Sequence, residues 1–256
     1  MRMEIPLLQV EGVTVSFDGF KALDNVSLTA VPTSVQVVIG PNGAGKSTLM
    51  DTIIGRVRPI SGHVMFKGAD MTRLPEYEIV RRGICRKFQT PGILPTLTVE
   101  ENIAVAAKRS RSWLGSFHRS LNAAEQSRID EILDIIGLRG KRQMRAAHLA
   151  HGAKQWLEIG MVVSSNGELL LLDEPAAGMT NQERGKTAEL IKTLARRHSF
   201  IVIDHDMDFV EALDAPVSVL HMGRMLKQGS INEVRNDAQV QAVYLGRVEE
   251  TELAKA

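Results

Sequence analysis

The first thirty positions alternate between apolar and polar side chains, as half-buried β-strands do. Apolar residues recur from Leu8 to Phe17 and again over 26–28, and the turn dipeptide Asp18-Gly19 separates the two runs. Another strand-like run at 63–66 lies between two turns that contain glycine. The pattern therefore predicts two strands joined by a turn, and one more strand after residue 60.

Mainly apolar runs further along the chain predict buried strands. They occupy 35–39, 168–173 and 200–203. Helical patterns at 47–54 and 182–197 alternate with these strands. This alternation favours an α/β fold with a mostly parallel sheet.

Residues 100–161 have a different, mainly helical pattern. Isoleucine and leucine recur at helical spacing from residue 129 to 136 and stop at Gly137, a residue type that often ends helices. We interpret this stretch as a second, helical lobe that contains a loop at 113–120.

The most specific chemical motif lies between the strand at 35–39 and the helix after it. Residues 40–47 read Gly-x-x-x-x-Gly-Lys-Ser, the pattern of a phosphate-binding loop. The glycines let backbone N–H groups wrap a polyphosphate, Lys46 would reach the outer phosphates, and the Ser47 hydroxyl would ligate Mg²⁺. The alternative, a glycine-rich turn without a ligand, is disfavoured by the flanking strand and helix. The predicted nucleotide contacts are Gly40, Pro41, Asn42, Gly43, Ala44, Gly45, Lys46, Ser47 and Thr48.

A second motif follows the four leucines of the strand at 168–173. Asp173 and Glu174 stand at its C-terminal end, where open α/β sheets place their ligands. Asp173 would hold Mg²⁺, and Glu174 would activate the attacking water as a general base. A strand that merely ends in a solvated acidic pair is the alternative.

Composition changes this picture little. The chain has 256 residues, 44% of them hydrophobic and 24% charged, with a net charge of +1, so no strong field points to nucleic acid. Cys85 is the single cysteine, which excludes a disulfide within the chain and suits the cytosol. No apolar run approaches the roughly 18 residues of a membrane span, and the N-terminus lacks a signal-peptide core. If the protein works at a membrane, we expect a partner to hold it there.

Five segments in this order resemble the ATP-binding subunits of ABC transporters: 40–47, Gln89, 149–153, 171–175 and His205. The resemblance covers nearly the whole chain and implies a P-loop NTPase (RecA-like) core, an antiparallel β subdomain and an inserted helical subdomain. The implied single domain spans 1–256, with 1–89 and 162–256 as the core and 90–161 as the helical subdomain. ATP and Mg²⁺ are the implied cofactors.

The resemblance also implies residue roles. Two subunits would sandwich two ATP molecules head to tail, each site joining one phosphate loop to the partner's signature segment, which here contains Ala150 and Gly152. Phe17 matches the aromatic that stacks on adenine, although a core aromatic is the alternative. Gln89 matches the glutamine that senses Mg²⁺ and the attacking water, and His205 matches the histidine that contacts the γ-phosphate. The implied catalytic residues are Glu174, His205, Gln89 and Lys46, and the implied metal-site residues are Ser47, Gln89 and Asp173.

A narrower resemblance concerns cargo. Residues 154–161, 175–179 and 243–247 look like those of branched-chain amino acid importers. His151 and the run Trp-Leu-Glu-Ile-Gly-Met at 156–161 are most similar to the urea-type subunits, which suggests urea or a short-chain amide. The implied partners are a second ATP-binding subunit, two integral membrane permease subunits and an extracytoplasmic binding protein, with this chain peripheral at the cytoplasmic face of the plasma membrane.

The chain departs from the usual signature Leu-Ser-x-Gly-Gln, because Ala150 and Ala153 replace the serine and the glutamine. A lost hydrogen bond from serine to the γ-phosphate would weaken the site on the partner's phosphate loop, so we expect an asymmetric heterodimer. Asp204, before His205, replaces a more usual glutamate, and we expect Asp206 and Asp208 to be solvated helix-start residues.

Four other functions stay open at this point. A branched-chain amino acid importer or a lipid-linked exporter would change only the transport role. A soluble ABC ATPase of translation or DNA repair is disfavoured by the single set of motifs and the absence of a heptad run. A weakly hydrolysing regulatory subunit is favoured by Ala150 and disfavoured by Asp173, Glu174 and His205.

Overall fold

The computed structural model describes residues 6–86, 92–107 and 122–243, which form two β-sheets and eight α-helices. The strands are β1 (Leu8–Phe17), β2 (Phe20–Ala30), β3 (Val35–Ile39), β4 (Ser61–Phe66), β5 (Ala69–Asp70), β6 (Ile84–Arg86), β7 (Leu169–Asp173), β8 (Ser199–Ile203), β9 (Val217–His221) and β10 (Arg224–Gly229). The helices are α1 (Lys46–Ile53), α2 (Glu76–Arg82), α3 (Val99–Ala107), α4 (Ala123–Ile135), α5 (His151–Ser164), α6 (Asn181–Leu194), α7 (Met207–Leu213) and α8 (Ile231–Arg235).

The smaller sheet is antiparallel, with strand order β2-β1-β4-β5. Strands β1 and β2 form the predicted pair, and the turn at Asp18-Gly19 has positive φ angles at both residues, which suit a tight hairpin. The predicted strand at 63–66 is the end of β4. This sheet is the antiparallel part of the expected fold.

The larger sheet has the order β10-β9-β3-β8-β7-β6. All neighbouring strands are parallel except β9 and β10 at one edge, so the prediction of a mostly parallel sheet is confirmed. Strand β3 lies between β9 and β8, and β7 lies on the other side of β8. The carboxyl ends of β3, β8 and β7 therefore meet at one edge of the sheet.

Two hydrophobic clusters cover opposite faces of this sheet. The side chains of Leu170 and Leu172 enter the cluster that contains the helical residues, whereas those of Leu169 and Leu171 enter the cluster shared with α1 and the antiparallel sheet. All four leucines are fully buried. This double burial explains why β7 lacks the alternation of a one-sided strand.

The helices α3, α4 and α5 lie in the stretch that was predicted to be helical, but they are not continuous. Short 3₁₀ turns at Arg139–Lys141 and Ala146–His148 separate α4 from α5. Gly137 has φ +68° just after α4, as expected of a terminating glycine. The predicted loop at 113–120 lies outside the described residues, and the division into core and helical subdomains stays a prediction. Within 6–86, 92–107 and 122–243, no helix has the length and apolar character needed to cross a membrane.

Candidate active site

The loop between β3 and α1 has a backbone that only glycine tolerates at two positions. A Cβ atom on Gly40 would lie 2.1 Å from the carbonyl oxygen of Leu220, and one on Gly45 would lie 2.6 Å from that of Ala22. Gly45 also has φ +106°, in the left-handed region. The motif glycines are therefore required by close backbone approach, which places the loop between β9 and the start of β2.

The start of α1 suits an anion. Gly45 caps the helix without a side-chain hydrogen bond, and the first turn contains no acidic residue. Lys46 is buried, and its Nζ donates to the carbonyl oxygens of Gly40 (2.7 Å) and Pro41 (2.9 Å). Ser47 is exposed beside it and Thr48 half-buried. The N–H groups of the first helical turn, the positive end of the helix and the nearby ammonium fit a nucleotide polyphosphate.

The strand register brings the acidic motif to the same edge of the sheet. Asp173 pairs with Ile203, and Ile203 pairs in turn with Val38. Because neighbouring strands are about 4.8 Å apart, Asp173 lies roughly 10 Å from the row of Val38, two residues before Gly40. The carboxylate and the phosphate loop thus lie at one edge of the sheet, at a separation that suits a hydrated Mg²⁺ and phosphate.

A buried arginine holds Asp173, and the sequence argument did not include it. Arg86 ends β6, and its guanidinium bridges Asp173, with Nη2 3.1 Å from Oδ2, and Asp51 of α1. Only 4% of the Arg86 side chain is exposed. The one signal for Arg86 in the sequence was its position as a charged residue directly after the apolar pair at 84–85. Arg86 fixes the orientation of Asp173 and links β7 to α1.

Glu174 and His205 lie together. The distance from Glu174 Oε1 to His205 Nδ1 is 3.2 Å, and both side chains are open to solvent. Glu174 has φ +45°, and its N–H donates to the carbonyl oxygen of Ile203 at 2.8 Å. Two residues that are 31 positions apart in the sequence therefore form one solvent-accessible acid–base pair beside Asp173.

Asp204 is buried directly beneath this pair. Its Oδ1 accepts hydrogen bonds from the backbone N–H groups of His205 (2.8 Å) and Asp206 (3.0 Å). Burial raises the pKa of Asp204 to about 6, although backbone N–H groups of His205 and Ala176 act in the opposite direction. Its Oδ2 has no hydrogen-bond partner among the described residues. The aspartate that stands before His205 in place of the more usual glutamate is thus a buried carboxyl group.

Asp206 does begin a helix, as predicted, but it is not simply solvated. It accepts a hydrogen bond from the N–H of Phe209 as the N-cap of α7, and it forms an ion pair with Arg184 of α6. Asp208 is exposed in the first turn, in agreement with the prediction.

The signature segment lies at the start of α5. Ala150 is the N-cap, without a side-chain hydrogen bond, and Ala153 is buried. A Cβ atom on Gly152 would lie 2.4 Å from Oε1 of Glu183, so glycine lets α6 approach. The segment meets the start of α6 through Gly152 and the loop after Glu174 through His151.

Phe17 lies at the tip of the hairpin, where it pairs with Phe20. Its side chain is 48% exposed and Phe20 is 69% exposed, so Phe17 is not a core aromatic. Ala22, two residues beyond Phe20, is the neighbour of Gly45 noted above. The hairpin that carries this exposed ring thus borders the phosphate loop through Ala22, and adenine stacking by Phe17 stays a prediction. Gln89 lies outside the described residues.

Comparisons with known proteins agree with this geometry. The family model described as "ABC transporter" matches residues 23–177. The high-affinity branched-chain amino acid transport ATP-binding proteins LivG of Escherichia coli K12 and BraF of Pseudomonas aeruginosa are 34% and 31% identical to the chain, each covering 95% of it and 99% of the relative.

Solved structures show the same fold. The ADP conformation of MJ1267, an ATP-binding cassette of an ABC transporter, is matched with TM-score 0.82 and 30% identity, over 94% of this chain and 99% of that one. CbiO1 from Clostridium perfringens, at 24% identity, is matched with TM-score 0.80, over 96% and 98%. With the phosphate loop, the Asp173 edge and the Glu174–His205 pair in place, these matches show that the chain belongs to the ABC transporter family, as an ATP-hydrolysing subunit that uses ATP and Mg²⁺, in the group of the branched-chain amino acid transport ATP-binding proteins.

Proposed function

We propose that this chain is the motor subunit of an importer for urea or short-chain amides, in which ATP binding and hydrolysis drive separate membrane subunits. The observation that carries the motor role is the Glu174–His205 pair, 3.2 Å apart and open to solvent, at the sheet edge that also carries Asp173 and the phosphate loop. An accessible carboxylate can take a proton from water, which a buried structural pair cannot.

The proposed roles follow from this placement. Lys46 would exchange its two loop carbonyls for the outer phosphate oxygens, which are stronger acceptors because they are charged. Ser47 and Asp173 would hold Mg²⁺, which supplies charge neutralisation on the phosphates. Glu174 would accept the proton of the attacking water, and His205 would donate to the terminal phosphate. Gln89 is proposed from its motif alone.

The proposed assembly contains a second ATP-binding subunit, two permease subunits that hold this chain at the cytoplasmic face of the membrane, and an extracytoplasmic binding protein. Nucleic acid has no proposed role. Ala150 supports an asymmetric heterodimer, because a signature segment without the serine hydroxyl would weaken only the site on the partner's phosphate loop. If both subunits were this chain, both sites would be weakened equally. Comparing Glu174→Gln here with the equivalent change in the partner tests this asymmetry, and equal losses would refute it.

The cargo is supported by His151 and by the run that starts at Trp156, which resemble the urea-type subunits. A second candidate cargo is favoured by the relatives LivG and BraF, whose names specify branched-chain amino acid transport. No cargo needs to touch this subunit, so the discriminating residues lie in its partners.

The test is the ATPase activity of the purified membrane complex, with its binding protein loaded with urea, a short amide or leucine. A complex with Glu174→Gln is the background control. Stimulation by urea or the amide alone supports the proposal. Stimulation by leucine alone would make the cargo a branched-chain amino acid and leave the motor role of this chain unchanged. Turnover that is indifferent to every cargo would refute the importer role and favour a regulatory or soluble ATPase.

A further inference from the structure

His151 joins the start of α5 to the loop that follows Glu174. Its Nε2 lies 2.9 Å from the carbonyl oxygen of Ala177. A Cβ atom on Gly178 would lie 3.0 Å from the same nitrogen, so the ring lies close against that glycine. Because a carbonyl oxygen only accepts, Nε2 carries the proton and donates it. Neutral imidazole and imidazolium can both make this bond.

Ala177 transmits the contact to Glu174, since both of its backbone polar groups are engaged. Its N–H donates to the carbonyl oxygen of Glu174 at 3.2 Å, which closes the turn 174–177. Its carbonyl oxygen accepts from His151. The side chain of His151 therefore holds the far end of the turn that carries the Glu174 carboxylate.

Glu174 needs support of this kind. Its φ of +45° is in the left-handed region, where a residue with a Cβ atom persists only if its surroundings hold it. The N–H of Glu174 is held by the carbonyl oxygen of Ile203 on β8. That contact fixes one end of the turn, and the contact with His151 fixes the other.

We propose that His151 is a positioning residue for ATP hydrolysis, which acts through Ala177 to keep the Glu174 carboxylate beside His205. The inference rests on the proposed role of Glu174 as the general base. His151 is the first residue of α5, so the same bond connects the signature segment to the catalytic carboxylate within one subunit. This gives a physical role to a histidine that the sequence marked only by resemblance.

The chain offers a matched set of variants. His151→Leu removes the donor, whereas His151→Gln keeps an amide N–H at about the same reach. Trp156→Phe is the control, because Trp156 Nε1–H donates to Thr187 Oγ1 at 2.9 Å and joins α5 to α6 five residues beyond His151. Each variant is compared with wild type in steady-state ATP hydrolysis by the full membrane complex. Amide hydrogen exchange of residues 176–179 is followed in the purified full-length chain.

We expect His151→Leu to lower kcat about tenfold, the effect of losing one well-placed positioning contact, while the KM for ATP changes less than about twofold. The exchange of residues 176–179 should become faster in that variant. His151→Gln should restore both quantities, and Trp156→Phe should leave both unchanged. A kcat for His151→Leu within about twofold of wild type would overturn the proposal, as would an equal loss in His151→Gln or Trp156→Phe.

Glu174→Gln separates this proposal from the function on which it rests. If that variant loses turnover while His151→Leu keeps it, the positioning role alone fails. If Glu174→Gln keeps full turnover, Glu174 is not the base, and the positioning role fails with it.

Discussion

Replacing Ala150 with serine should stabilise the fold, because the backbone at this position is already that of a capped helix. Ala150 has φ −61° and ψ 160°, yet no side chain caps α5. Thr180 and Ser230 cap α6 and α8 with nearly the same angles, φ −67° and −65° and ψ 160° in both, and each accepts a hydrogen bond from the residue three positions on. A serine at 150 would therefore reach the N–H of Ala153 without backbone movement.

The expected gain is about 1 kcal/mol in the free energy of unfolding, the typical value of an N-cap hydrogen bond. For a chain of this size, this corresponds to a rise of about 2 °C in Tm. The gain should be smaller than the loss caused by Ser230→Ala, because Ser230 belongs to a reciprocal capping box with Glu233 and Ala153 offers no side chain to complete one. Ser230 therefore provides the matched control, on a helix outside the proposed site.

The assay is denaturant unfolding of the purified chain without nucleotide, followed by circular dichroism. A change smaller than about 0.3 kcal/mol, or a destabilisation, would refute the capping argument, provided that Ser230→Ala shows its expected loss. In the membrane complex, the same serine should raise turnover roughly 10- to 150-fold if it also donates to the γ-phosphate on the partner, since a hydrogen bond to a charged group is worth about 1.5–3 kcal/mol. Unchanged turnover would refute that second role and leave the first intact.

Three further variants test other parts of the site. Burial raises the pKa of Asp204 from 3.8 to about 6. The protonated carboxyl therefore contributes stability that is fully present below pH 3.8 and is lost as pH rises through about 6. Asp204→Asn should be more stable than wild type at pH 8, by up to about 3 kcal/mol at 1.36 kcal/mol per pH unit, and equally stable near pH 3.5. Parallel stability curves for the two proteins between pH 4 and 6.5 would contradict this. Glu174→Gln should lower kcat by about 10²- to 10⁴-fold and leave the Kd for ATP almost unchanged, and direct nucleotide titration would expose a binding role instead. Arg86→Met should lower the free energy of unfolding by about 3–5 kcal/mol, because it leaves the Asp51 and Asp173 carboxylates without their shared cation; a denaturation loss below about 1 kcal/mol would show that the ion pair is dispensable.

The sequence predicted the strands whose apolar residues alternate with polar ones or run together, and missed those that are short or in which polar side chains break this pattern. The bounds of β3 agree with the predicted run at 35–39, because all of its side chains except that of Gln36 are buried. Strand β9 was not predicted. It contains Ser218, which is buried and accepts hydrogen bonds from Gln36 and Gln228 on the neighbouring strands. Edge strand β10 is mostly polar, and β6 is too short to show a period.

The site was predictable where one motif fixes the backbone and unpredictable where distant segments meet. The glycines of 40–47 specify their own loop, so its position between strand and helix followed from the pattern. The bridge from Arg86 to Asp51 and Asp173 joins residues 35 and 87 positions apart, and no local pattern encodes it. The burial of Asp204 likewise depends on packing beneath Glu174, so the sequence alone did not reveal it.

The turn 174–177 is held from several directions, and its exposure explains why. Strand β8 holds the N–H of Glu174, and His151 of α5 holds the carbonyl oxygen of Ala177. The backbone N–H of Ala176, within the turn, lowers the pKa of the buried Asp204 carboxyl. In its proposed role as general base, Glu174 has to stay in contact with water, and its side chain is 45% exposed. Burial therefore cannot fix this side chain, and the neighbouring elements fix its backbone instead.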